Sequence, residues 1–205
     1  MPELALTDDT YLRVLDDSIR IVERSGVPYG VIGGLASVTA GRPRRVTRSA
    51  DIDIFLRPDE VDSVLGDFAR EGFETERHEE TWIYKAHRDG ITVDLIFRSS
   101  GDMYLDEEMI ERIRTVDFEG RRLRVVSPED LLVMKAVAHG EETPTYWHDS
   151  VGIVAQGDLD WEYLVRRARQ HGPRRVLSLL LYAQSNDHVV PSSALDALYR
   201  SVREV

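Results

Sequence analysis

Asp51-Ile52-Asp53-Ile54-Phe55-Leu56 alternates acidic and apolar residues, the period-two pattern of a half-buried strand. Side chains two apart on a strand share a face. Asp51 and Asp53 therefore project together, while Ile52, Ile54 and Leu56 point the other way into a core. Two adjacent carboxylates repel each other and are costly to hold unless a cation lies between them. A hard divalent ion with oxygen ligands, Mg2+ or Mn2+, suits that position.

Asp94 repeats the logic on another stretch, Ile91-Thr92-Val93-Asp94-Leu95-Ile96-Phe97. Ile91, Val93, Leu95 and Phe97 form one apolar face, and Asp94 stands on the other with Thr92 and Ile96. Three carboxylates converging from adjacent strands would make a two-metal site for phosphoryl transfer. Each aspartate also has a plainer reading. Asp51 and Asp53 could pair with Arg44, Arg45 or Arg48, and Asp94 could pair with Lys85 on the neighbouring strand.

Upstream, the apolar stretch Tyr29 to Ile32 runs into Gly33-Gly34. Glycines after a strand let backbone N–H groups approach and cradle phosphate oxygens. A short helix from Leu35 to Ala40 would aim its positive end at the same anion, and Ser37 could add a hydroxyl. Gly41-Arg42-Pro43 ends that helix.

The rest of the chain supplies a frame. Tyr11, Leu15, Ile19 and Val22 give one apolar helical face within Leu4 to Gly26,. Pro58 marks a helix start, with Val61, Val64, Leu65 and Phe68 carrying the helix to Gly72. Trp82 to Ala86 and Ile91 to Phe97 read as strands joined by Asp89-Gly90, and Val116 to Val126 reads as a hairpin around Glu119-Gly120. From Ser127-Pro128 the pattern turns helical: Leu131 to His139, His148 to Ala155, Trp161 to His171, Arg174 to Ala183 and Ser193 to Val202. The expected class is α/β (α+β), a small mixed sheet flanked by helices over residues 1–126, with a helical C-terminal part over 127–205.

Composition bounds the function. The 205 residues carry 26 Lys and Arg against 37 Asp and Glu, a net charge of −11, which argues against broad nonspecific binding to nucleic acid. Arg42, Arg44, Arg45 and Arg48 nonetheless form a local basic stretch, as do Arg166, Arg167, Arg169, Arg174 and Arg175. There is no cysteine, so thiolate metal sites are excluded. The six histidines form no evident zinc site, and Trp147 and Trp161 suit packing better than base stacking. No apolar run spans a bilayer and the N-terminus lacks a signal-peptide pattern, so a cytoplasmic location without membrane contact is expected.

The ordered set of strand, Gly33-Gly34, helix, basic loop, Asp51-Ile52-Asp53, helix and Val93-Asp94-Leu95 resembles the polymerase-β-like nucleotidyltransferase superfamily. Within it the chain is most similar to the stand-alone bacterial group that includes the AbiEii-like toxins. The resemblance implies metal binding by Asp51, Asp53 and Asp94 and triphosphate binding by Gly33 and Gly34. It also implies a phosphate-contacting lysine, Lys135, on the first helix after the sheet, and a later aspartate, Asp149. Where the family has Arg-x-Thr-x-Asp-x-Asp, this chain has Thr47-Arg48-Ser49-Ala50-Asp51-Ile52-Asp53. Ser49 replaces the threonine hydroxyl, and the arginine is Arg48, one place out of register, or Arg45. The late motif Arg-Asp-x-x-Asp is reduced here to His148-Asp149-Ser150-Val151-Gly152.

The expected activity is metal-dependent transfer of a nucleoside monophosphate from an NTP such as ATP to an acceptor. A tRNA end met by Arg42, Arg44, Arg45 and Arg48, a protein hydroxyl, and a small antibiotic such as a cationic aminoglycoside are the acceptor classes. The alternative is a non-catalytic nucleotide-binding or partner-binding module of a toxin–antitoxin-like pair.

Overall fold

The computed structural model describes residues 9–40, 51–77, 82–140 and 143–203. The start of the first helix before Asp9, the Gly41-Arg42-Pro43 break, and Arg42, Arg44, Arg45, Arg48 and Ser49 lie outside the described residues. The fold is mixed α/β, and the chain divides into two compact units. One comprises Met1–Ala36, Arg45–Arg98 and Tyr104–Val126; the other comprises Ser37–Arg44, Ser99–Met103 and Ser127–Val205.

The first unit is built on a seven-stranded mixed sheet. Its strands are β1 (Gly30–Val31), β2 (Asp51–Phe55), β3 (Glu74–Arg77), β4 (Ile83–Arg88), β5 (Ile91–Ile96), β6 (Arg114–Phe118) and β7 (Arg121–Val125), in spatial order β3-β4-β5-β2-β1-β7-β6. β2 runs parallel to β5, and β1 runs parallel to β7; the other neighbours are antiparallel. Helix α1 (Asp9–Ser25) stops at Gly26, whose φ is 73°. It packs on β5 and on α3 (Val61–Arg70), which also packs on β3 and β4. Ile52, Ile54, Ala86, Val93 and Leu95 are fully buried, and by alternation they share one face of the sheet. Their burial stabilises the unit at ~25 cal/mol per Å2 of apolar surface removed from water.

Several boundaries depart from the sequence reading. Helix α2 (Gly33–Ala40) takes in both glycines instead of starting at Leu35, because Ala36 N already donates to Ile32 O at 3.3 Å. Pro58 lies in a turn, where Glu60 N donates to Arg57 O, and α3 begins only at Val61. β3 and the short helix α4 (Glu107–Glu111) were not anticipated. β3 is an edge strand that is mostly exposed, so it lacks apolar alternation; α4 is a five-residue turn capped by the Asp106 side chain.

The second unit is helical: α5 (Pro128–Ala138), α6 (Thr145–Gln156), α7 (Trp161–His171), α8 (Pro173–Ser185) and α9 (Ser192–Arg203). α5 packs against α6, α7 and α8, and α9 packs against α7 and α8. Ser127 caps α5 by accepting from Asp130 N at 3.1 Å, a contact worth ~1 kcal/mol. The interior holds a polar knot. Asp130, fully buried, accepts from Tyr163 Oη at 2.8 Å, Ser127 Oγ at 2.8 Å and Arg167 Nε at 2.9 Å. Burial raises the Asp130 pKa, and the Arg167 charge and these hydrogen bonds oppose the rise.

Candidate active site

Strand register sets the site. Asp53 pairs with Asp94, Asp94 with Lys85, and Lys85 with Glu76, giving one row across β2, β5, β4 and β3. The next row on the same face runs Asp51, Thr92, His87, Glu74. Adjacent strands lie ~4.8 Å apart, so Asp53 and Asp94 are like charges placed directly side by side, an unfavourable pairing in itself. The structure thus brings Asp51, Asp53 and Asp94 onto one polar face, opposite the buried Ile52, Ile54, Val93 and Leu95.

The electrostatics follow from that crowding. The pKa of Asp51 is raised, first by burial and then by the Asp94 charge, while Lys85 and His87 pull it down. On α1, the buried Tyr11 phenol is pushed up to about 12, first by burial and then by the charges of Asp53 and Asp51. Lys85 Nζ donates to Asp94 Oδ1 at 2.7 Å. His87 Nδ1 lies 3.2 Å from Thr92 Oγ1, and its Nε2 lies 3.6 Å from Glu76 Oε2.

Gly33 closes the other edge. Its φ is 67°, a left-handed value that favours glycine. A Cβ at this position would also overlap the Asp53 carboxylate. Ile32 N donates to Asp53 O at 3.0 Å. The turn into α2 is therefore fitted against the second aspartate of the pair, with Gly33 and Gly34 half-buried beside it.

Asp51 and Asp53 are two carboxylates on one strand face, a donor set that would suit a hard divalent cation. Among the described residues no group of three His, Cys, Asp or Glu side chains is gathered to hold a metal. At Asp94 the cation present is the Lys85 ammonium.

Of the remaining expected residues, Ser37, Lys135 and Asp149 belong to the helical unit, and Arg48 and Ser49 lie outside the described residues. Ser37 sits one turn into α2 and is half-buried. Lys135 is 5% exposed and donates to Asp149 Oδ2 at 2.8 Å; its Nζ also lies 4.8 Å from the centre of the Tyr146 ring. Asp149 therefore pairs with the lysine. It stands in the second turn of α6, not at its start, because the helix begins at Thr145. Trp147 packs between His139 and Tyr182, at 4.7 and 5.6 Å between ring centres.

Sequence reasoning placed Thr92 beside Asp94 but missed Tyr11, Glu76 and His87 as neighbours of the carboxylates. The two-residue spacing of Lys85 and His87 was a usable signal. It was hidden because the strand was ended at Ala86, two residues short of its observed end.

Over residues 4–186 the sequence matches the family model of an uncharacterised nucleotidyltransferase. The chain belongs to this family. The carboxylate face thus lies in a nucleotidyltransferase, and the family is one of transferases. No curated protein matches in sequence. The fold is shared with an antigenic nucleotidyltransferase-like protein from Paracoccidioides brasiliensis at 17% identity, covering 93% of this chain and 94% of that one, with a TM-score of 0.57. It is also shared with the antibiotic-resistance factor ANT(2'')-Ia at 14% identity, covering 95% and 99%, TM-score 0.53. JHP933 from Helicobacter pylori matches at 12% identity over 98% and 92%, TM-score 0.51. No helix among the described residues is long and apolar enough to cross a membrane.

Proposed function

We propose that this nucleotidyltransferase moves a nucleoside monophosphate from an NTP to an acceptor hydroxyl in a reaction that depends on Mg2+ or Mn2+. The observation that carries the reading is the in-register pairing of Asp53 with Asp94, two residues from Asp51 on the same face. A protein does not gather such charges cheaply without a cation to offset them.

Asp51 and Asp53 would hold the divalent ion, which when bound neutralises phosphate charge and favours attack at the α-phosphorus. The first turn of α2 at Gly33 and Gly34 presents backbone N–H groups to phosphate oxygens. Asp94 receives the proton of the acceptor hydroxyl as its oxygen bonds to the α-phosphorus, and the bond to the bridging oxygen breaks to release pyrophosphate.

The net charge of −11 favours a cationic small molecule over a nucleic acid as acceptor,. One neighbour of the same fold, ANT(2'')-Ia, has been seen with adenylyl-2''-tobramycin at 15% identity and a TM-score of 0.51. The order of the motifs supports kinship with the AbiEii-like group, which we include in the proposal.

The test is calorimetry of each NTP with Mg2+, using the native chain and the Asp51→Ala, Asp53→Ala double variant, followed by incubation with α-phosphate-labelled NTP and candidate acceptors. Nucleotide binding lost in the double variant, with label on a cationic small molecule, supports the reading. Absence of nucleotide binding in either metal sinks it.

A further inference from the structure

We propose that Lys85 is the second cation of the site. Its ammonium takes the place at Asp94 that a second divalent ion occupies in two-metal phosphoryl-transfer centres. The chain accordingly binds one Mg2+ or Mn2+ ion, at Asp51 and Asp53. This inference rests on the nucleotidyltransferase reading above.

Two observations carry it. Lys85 is placed by the backbone, since it is the register partner of Asp94 on β4. The ammonium is engaged with Asp94 Oδ1 at 2.7 Å, and the Asp94 side chain is only 11% exposed. The lysine offsets one of the three aspartate charges, and what is left is the charge that one divalent cation balances. A second ion at Asp94 would be repelled by Lys85 itself.

The chemistry is served in the same way. A permanent positive charge beside the acceptor oxygen lowers the cost of removing its proton, as a metal does at that place. The proton passes to the Asp94 carboxylate, the oxygen–phosphorus bond forms and pyrophosphate leaves.

The deciding measurement is the Mn2+ stoichiometry, from the electron paramagnetic resonance of free Mn2+, with the non-reacting analogue α,β-methylene-ATP bound. The native chain should hold one Mn2+ per chain, Lys85→Arg should also hold one, and Lys85→Met should hold two. Lys85→Gln provides a second neutral replacement should the Met variant fold poorly, and circular dichroism checks each variant. Two ions in the native chain, or one ion in a folded neutral variant, overturn the inference and leave the nucleotidyltransferase reading intact. No ion in the native chain removes both.

Discussion

Gly33 and Asp53 are fitted to one another: the aspartate carboxylate lies where a side chain at residue 33 would begin. The glycine thus does more than permit a turn. It leaves room for an acidic group that the neighbouring strand directs at the helix start. Gly33→Ala must overcome both a φ of 67° and this overlap. A cost of about 1–3 kcal/mol from strain alone is expected in urea denaturation. NTP affinity should fall with it, whereas Gly66→Ala in α3, where the added Cβ makes only an ordinary van der Waals contact with Arg70 Nη1 at 3.5 Å, should leave affinity unchanged.

Asp51 makes a prediction about pH. Its folded pKa is raised, with burial the first cause and Asp94 the second. A raised carboxylate pKa contributes stability that is complete below the unfolded value and is lost as pH rises through the folded one. At neutral pH the ionised Asp51 therefore weakens the metal-free fold. Asp51→Asn should raise the Tm of the metal-free protein at pH 7 and abolish the rise that Mg2+ gives the native chain. An unchanged Tm in metal-free buffer would count against the electrostatic account. Mn2+ affinity of the native chain should fall on acidification at a higher pH than for an ordinary carboxylate site.

The Lys135–Asp149 pair should behave as a buried ion pair. Asp149→Ala leaves the nearly buried Lys135 without its carboxylate and should cost about 3–5 kcal/mol. The double change Lys135→Met, Asp149→Ala should recover a large part of that loss. A double-mutant cycle measures the difference, and strict additivity would show the pair to be uncoupled.

Tyr163 gives a smaller, cleaner effect. Its hydroxyl donates to Asp130 at 2.8 Å inside the helical unit. Tyr163→Phe removes one hydrogen bond to a charged group without opening a cavity, so about 1.5–3 kcal/mol is expected by thermal or urea unfolding. Asp130→Ala should cost more, because it leaves the buried Arg167 guanidinium without the carboxylate it now donates to,.

Much of this was legible in the linear sequence because it depends on local periodicity. The alternation in Asp51–Leu56 announced both the strand and its paired acids, and the Ser127-Pro128 signal marked the start of α5. The edge strand β3 was not legible, since Glu74-Thr75-Glu76-Arg77 has no apolar face and owes its conformation to pairing with β4. The extension of β4 to Arg88 comes likewise from its pairing with β5.

By itself, then, the sequence determined which residues bear charge and which strand face each occupies, because side-chain direction along a strand has a fixed period. Only the tertiary structure decided which distant charges meet. Asp53 faces Asp94 across a parallel pair of strands far apart in the chain, whereas the pairing of Lys85 with Asp94 follows from the local hairpin at Asp89-Gly90 and was open to reading from the sequence. Register between strands distant in sequence is set by core packing and hydrogen bonding, which no local pattern records.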